Sequence, residues 1–325
     1  MKKKIVCIGG GAGLSTILRG LKKYEILDIT AVVTVMDDGG SSGRLKKEFG
    51  VLPPGDIRNC LLALSNKEDI FNKIFSYRFP VTKKTPEVGG HSLGNLLVVA
   101  LTDIYKGFDK AIKKISEILN IKGKVLPITL QPTDLAAILE NGEIVFGESK
   151  ISNSTSPIKK MFLNPSTVRH YSEVSDEIKN ADVIVVGPGS LFTSILSNLV
   201  IKEVIEEITN NTKALKIYIC NIMTQPGETE GYSAEKHIKK IYEHCEYKFK
   251  FDYIIINSGK LPSKLLKKYK KAKSFPVKIE NYKELKKLVK KGVIIDNFVE
   301  KSKNIKFVRH NPDKVAKTIV SLLNR

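Results

Sequence analysis

The sequence has no tryptophan, only four cysteines and no run of 18 uncharged apolar residues. Without such a run no membrane-spanning helix is expected. Cys7, Cys60, Cys220 and Cys245 share no metal-type spacing and lie within or beside apolar segments. That usage favours buried, reduced thiols in a cytoplasmic protein over a disulfide framework or a zinc site. The opening MKKKIVCIGGG lacks a cleavage-site pattern and reads as a first strand rather than a signal peptide. Arginine is scarce too. Only seven of the 54 basic residues are arginine, although the net charge is +20. Nucleic-acid readers concentrate arginine and interleave aromatics. Here lysines recur in SKLLKKYKKAK and YKELKKLVKK, the pattern of solvated helix faces. A general attraction for anions follows; a nucleic-acid partner does not.

Two nucleotide signatures are missing as well. In GGGAGLS the sixth position is Leu14 counted from Gly9 and Thr16 counted from Gly11, so the dinucleotide fingerprint fails. No Gly-Lys-Ser/Thr follows, which removes the Walker motif. No Ser/His/Asp or Cys/His set can be assembled from spacing, and a lone His91 reads as structural. A dehydrogenase is therefore disfavoured.

What is present is alternation. KKIVCIG reads as a strand, and Leu14, Ile17, Leu18 and Leu21 then follow the spacing of a one-sided helix. DITAVVTVM is apolar on both parities, as in a strand covered on both faces. From about residue 56 to 120 the texture is helical, through DIRNCLLALS, EDIFNKIFSYRF, SLGNLLVVALTDIY and FDKAIKKISEIL. KVLPITL resumes the strands, and Asn141-Gly142 between two apolar runs signals a hairpin. DVIVVG, LKIYICN and DYIIIN alternate with helices to the C-terminus, where Asn311, Pro312 and Asp313 form a helix start. The expected fold is α/β: a doubly wound, mainly parallel Rossmann-like sheet with an inserted helical subdomain. Residues 1–44 and 123–325 would form the Rossmann-like domain and 45–122 the insertion. A homodimer is left open.

In such a sheet, ligands bind beyond the carboxyl ends of the strands. Five segments there carry Gly, Ser, Thr, Asn or acids: GGGAGLS, DDGGSSGR, PGSLFTS, NIMTQPGET and NSGK. NSGK alone reads as a plain turn. In the first, Gly10, Gly11, Ala12 and Gly13 would leave amides bare ahead of a helix, a phosphate cradle. Gly187, Pro188, Gly189 and Ser190 repeat the device, so two facing helix starts would suit a diphosphate, with Asn221 on the next loop. Asp37 and Asp38 could take ribose hydroxyls or hold a Mg²⁺ that bridges phosphates. Gly40, Ser41 and Ser42 would line the pocket, and Arg44 could pair with phosphate oxygens. Asp56 is either a helix cap or a ligand contact, and Asn95 lies in GGHSLGN, which also opens a helix.

GGGAGLS, VTVMDDGGSSGRL, LPPGDIRNCLLAL, GGHSLGNLL, VVGPGSLFTSILSNLV and IYICNIMTQPGET together closely resemble the bacterial gluconeogenesis-factor family. That family lies in the superfamily of the 2-phospho-L-lactate transferases of deazaflavin-cofactor synthesis. The resemblance runs from the first strand to FVRHNPDKVA, essentially the whole chain. One departure is Ala12, where the family's first loop carries threonine; a hydroxyl is lost but the backbone cradle is kept. The resemblance implies a regulatory protein, not a demonstrated catalyst, that binds a nucleotide-diphosphate sugar, UDP-N-acetylglucosamine. It further implies support of cell shape and wall synthesis during gluconeogenic growth. Tyr269 and Arg309 then correspond to the residues that contact the nucleotide sugar. The rival reading is a transferase of a phosphate-linked group, with Asp37, Asp38 and Asp56 holding Mg²⁺ or orienting the acceptor hydroxyl.

Overall fold

LDITAVV supplies the second strand of a seven-stranded parallel sheet, because both of its faces are covered, and the buried run continues past the strand through Thr34, Val35 and Met36. The structure, a computed structural model, describes residues 1–82, 87–300 and 307–323. The chain opens with β1 (Lys3–Gly9), α1 (Gly11–Leu21) and β2 (Leu27–Val33). Helices α2 (Gly40–Phe49), α3 (Gly55–Leu64), α4 (Glu68–Phe75), α5 (Leu93–Tyr105) and α6 (Phe108–Leu119) follow before β3 (Lys124–Pro127). Next come β4 (Asp134–Leu139), β5 (Ile144–Phe146), α7 (Glu148–Ser152), β6 (Ile158–Asn164), α8 (Ser172–Lys179) and β7 (Val183–Val186). A π-helical turn (Leu191–Leu196) leads into α9 (Ser197–Leu199), α10 (Lys202–Asn210) and β8 (Leu215–Ile219). The chain closes with α11 (Ala234–His244), β9 (Tyr253–Asn257), α12 (Ser263–Lys271), α13 (Tyr282–Lys287), β10 (Gly292–Asp296) and α14 (Pro312–Leu323).

The main sheet runs β10-β9-β8-β7-β1-β2-β3, and every neighbouring pair is parallel. The chain winds outward from β1 through β2 and β3, then returns to β7 on the other side and winds away to β10. The reversal between β1 and β7 is the topological switch point, where open α/β sheets form their crevice. Ile5 pairs with Ile29 on one side and Val183 on the other. One continuous hydrophobic core joins the strands to Ile57, Leu61, Leu64, Val98 and Ile115 of the helices between β2 and β3. Each fully buried aliphatic side chain contributes roughly 1.5–3 kcal/mol of transfer free energy. Tyr218, Phe251 and Tyr242 extend that core under β8 as stacked rings, 5.5 and 5.9 Å apart.

The Asn141-Gly142 hairpin is present as β4–β5, with Ala137 opposite Val145. β4 also pairs with β6, giving a small antiparallel sheet whose third strand the sequence pattern did not announce. Gly40–Phe49 is a correction: it is helix, not loop, because Leu45 is buried and Gly39, in an extended conformation, starts a helical turn. The last helix begins as expected, with Lys314 N donating to Asn311 Oδ1 at 2.9 Å. Part of the IKFVRH segment lies outside the described residues, while His310 bridges to Val299. Among the described residues all four cysteines are free and buried, and no helix is long and apolar enough to cross a membrane.

Candidate functional site

β1 delivers the chain to Gly10, which is extended (φ −168°) and caps α1 without a side chain. The first amides of a helix have no intrahelical acceptor. Gly11 N donates to the Asp56 carboxylate. The next two residues, Ala12 and Gly13, line a cavity of about 520 Å³ at the switch point. Position 13 tolerates only glycine, since a Cβ there would sit 2.4 Å from the Pro188 carbonyl oxygen. The loops after β1 and β7 therefore meet backbone to backbone.

The β7 loop is locked from the next strand. Asn221 Nδ2 donates to Gly189 O at 2.7 Å, and Gly189 N donates to Asn221 Oδ1 at 3.2 Å. Pro188, Gly189, Ser190 and Asn221 all line the same cavity, and Gly187 precedes them with φ +77°. Asn221 thus acts as a positioning residue. At the second helix start a protein carboxylate takes part of the donor set. Glu228, only 6% exposed, accepts from Ser190 Oγ, from Ser152 Oγ at 2.8 Å and from Phe192 N. Burial raises the Glu228 pKa, and those donors oppose the rise. A protein carboxylate already occupies this positive helix end.

The far wall comes from the C-terminal third. Ile222 and Met223 pack with Val299, Tyr269 and Val308 in a small apolar cluster. Val308 N donates to Tyr269 Oη at 3.0 Å, so the ring is fixed to the segment that carries Arg309. Tyr269 and Arg309 both line the cavity, and Arg309 is exposed. His310, also lining it, is 6% exposed, and desolvation lowers its pKa to about 4. It is neutral at pH 7, which leaves Arg309 as the one full positive charge among the described lining residues.

The remaining candidates are placed elsewhere. Asp56 is not the cap of α3, a position taken by Pro54; it points at Gly10 and Gly11. Burial first, then the neighbouring Asp37, raises its pKa to about 7. Glu148, which the sequence reading missed, is raised to about 8 by burial and then by Asp37 and Asp56. Asp38 diverges from Asp37: its Oδ1 accepts from Ser149 N at 2.8 Å and Ser149 Oγ at 2.6 Å. Asp37 Oδ1 accepts from Gly39 N at 2.9 Å. No group of three or more His, Cys, Asp or Glu is spaced to hold a metal ion among the described residues.

Ser41 and Asn95 belong to a buried network beside α5. Asn95 Nδ2 donates to Ser41 Oγ at 3.0 Å, Ser41 Oγ bonds His91 Nδ1 at 2.9 Å, and Arg58 Nη1 donates to Asn95 Oδ1 at 2.9 Å. Ser42 packs on Gly55, while Gly40 is exposed with φ +49°. Arg44 Nη2 donates to Gly89 O at 2.6 Å. NSGK is a turn, with Gly259 N donating to Asn257 Oδ1.

The acids make a pH prediction. A carboxyl whose folded pKa lies above its unfolded value binds its proton more tightly in the native state, so stability falls as pH rises. For Asp56 and Glu148 the favourable contribution is complete below about pH 4 and lost as pH climbs through about 7 and 8. Glu148→Gln should raise the melting temperature by a few degrees at pH 8 and leave it unchanged at pH 4. Melts across that range check it; parallel wild-type and variant profiles would contradict it.

The chain is an α/β protein of Rossmann-like architecture, with a cavity at the switch point of its doubly wound sheet lined by the α1 start and one arginine. The sequence pattern of the family described as 2-phospho-L-lactate transferase CofD matches residues 5–299. A Bacillus subtilis protein named gluconeogenesis factor is 44% identical over 322 residues, covering 99% of this chain and 98% of the relative. One of the same name from Halalkalibacterium halodurans is 44% identical over 319 residues, covering 98% and 96%. A crystal structure of a Bacillus halodurans protein superposes with a TM-score of 0.91 at 44% identity, covering 98% of this chain and all of that one. The chain belongs to the gluconeogenesis-factor family, within the CofD superfamily.

Proposed function

We propose that this protein is a cytoplasmic, nucleotide-diphosphate-sugar-binding regulator, a gluconeogenesis factor whose ligand is UDP-N-acetylglucosamine and whose output supports cell shape and wall synthesis during gluconeogenic growth. One observation carries the binding reading: Ala12, Gly13, Gly189, Ser190, Tyr269 and Arg309 converge on a single cavity of about 520 Å³. That volume falls in the roughly 300–1,000 Å³ range of small-molecule sites. Phosphate oxygens would take the Ala12 and Gly13 amides and the Arg309 guanidinium. Tyr269 offers a ring face for stacking beside Met223 and Ile222. The name gluconeogenesis factor, carried by the relatives, supports the gluconeogenic part of this role.

A second reading rests on a separate observation. Asp56, against Gly10 and Gly11 at the α1 start, and Glu148, within charge range of Asp56, have pKa values near 7 and 8 and suit proton abstraction from an acceptor hydroxyl. That is what a transferase of a phosphate-linked group needs. Calorimetry with UDP-N-acetylglucosamine, UDP and GDP tests the first reading, which expects saturable binding to one site and no turnover. Absence of heat for every nucleotide at millimolar concentration would end it. Incubation with activated phospholactate and a deazaflavin acceptor tests the second, which alone expects a new product.

A further inference from the structure

The lysine excess is not all solvated helix face. At the opposite end of the main sheet, where strands begin, Lys3, Lys213, Lys216, Lys290 and Lys291 line a cavity of about 360 Å³ with Asp182 and Asp252. Both aspartates are already engaged. Asp182 Oδ2 accepts from Lys4 N and Asp252 Oδ2 from Lys216 N, each at 2.8 Å. Lys216 is 3% exposed, and its Nζ donates to the Asn211 carbonyl at 2.6 Å, a neutral acceptor. Burial, with the Lys290 ammonium nearby, lowers its pKa from the usual lysine value. Lys3 has a 3.5 Å pair with Asp182, while Lys213, Lys290 and Lys291 make no salt bridge among the described residues. Five lysines and two aspartates thus line one polar hollow, a local excess of positive charge.

We propose that this cavity is a second ligand site, which takes a small polyanion bridging Lys213, Lys216, Lys290 and Lys291. It is separate from the cavity at the switch point. Lys216 and Asn221 sit near opposite ends of β8, and five residues of extended chain span about 16 Å. Likewise α14 starts beside His310 of the first cavity and ends at Leu322 and Leu323, which wall the second. A polyanion of the required charge could carry phosphates or carboxylates, and both classes enter the test.

The full chain is titrated calorimetrically at about 150 mM salt, where exposed charges are screened beyond about 8 Å, with inorganic pyrophosphate and separately with citrate. The double variant K290A/K291A changes exposed residues and should fold normally. K264A/K267A removes the same charge from α12, outside both cavities. Saturable binding that weakens about tenfold in K290A/K291A, with K264A/K267A unchanged, is the expected result. Binding of pyrophosphate alone assigns phosphate chemistry, of citrate alone carboxylate chemistry, and of both a site selective for charge. Equal losses in the two double variants would reduce the effect to diffuse charge and overturn the proposal. So would a loss seen only in Arg309→Ala, which places the anion in the other cavity, or no saturable binding by the unaltered chain.

Discussion

Val33→Asp should leave no cooperatively folded protein. Val33 is fully buried in β2, in register with Gly9 of β1 and Pro127 of β3, and its carbonyl accepts from Ile128 N at 2.9 Å. A carboxylate there would have neither water nor a cation, which costs several kcal/mol. Domains are stable by only about 5–15 kcal/mol in total, and the substitution also removes a well-packed aliphatic group. Soluble yield and a circular-dichroism melt read the outcome. Ile295→Asp is the control, because Ile295 is 41% exposed on the edge strand β10. It should keep a cooperative melt, and equal damage from both would show that strand position rather than burial decides.

Arg309→Ala should weaken nucleotide-diphosphate binding about 10- to 100-fold while leaving the melting temperature unchanged. Charge-assisted hydrogen bonds contribute about 1.5–3 kcal/mol, and among the described residues no other full positive charge lines this cavity to compensate. The fold should not notice, since the side chain is exposed and the residue's fixed bond is its backbone carbonyl, which accepts from Glu300 N. Arg309→Lys should recover only part of the affinity, because a point charge replaces a planar fork. Calorimetry of the three proteins decides. Full affinity in Arg309→Ala would mean that the phosphates do not reach this wall, and the binding geometry proposed above would fall.

How far the site was legible depends on the kind of signal each residue leaves. Gly13, Gly189 and Asn221 of the cavity wall were readable because strand-end loops in a parallel sheet converge, and backbone amides need only glycine and a helix start to be exposed. Glu228 was not, although it sits in NIMTQPGET. Its importance comes from filling the helix end behind Ser190, a contact 38 residues away in sequence. Glu148 was equally silent. An acid just after a hairpin looks like a surface residue until α7 brings it beside Asp37 and Asp56. DDGGSSGRL misled in the opposite sense. Glycines and serines read as a loop, yet burial of Leu45 and the Asn95–Ser41–His91 network draws Gly40 onward into helix.

The sequence by itself determined the alternation of strands and helices, the parallel sheet, the five polar strand tips and the hairpin at Asn141-Gly142. Those follow from local periodicity and from turn chemistry that neighbours along the chain dictate. Only the tertiary structure decided which tips share a cavity, that Glu228 accepts from one helix start and that Asp38 is bound by Ser149. It alone also gathered lysines from β1, β8 and the approach to β10 around one hollow. Electrostatics and burial depend on distance in space, and residues far apart in the chain leave no shared pattern to announce that they will meet.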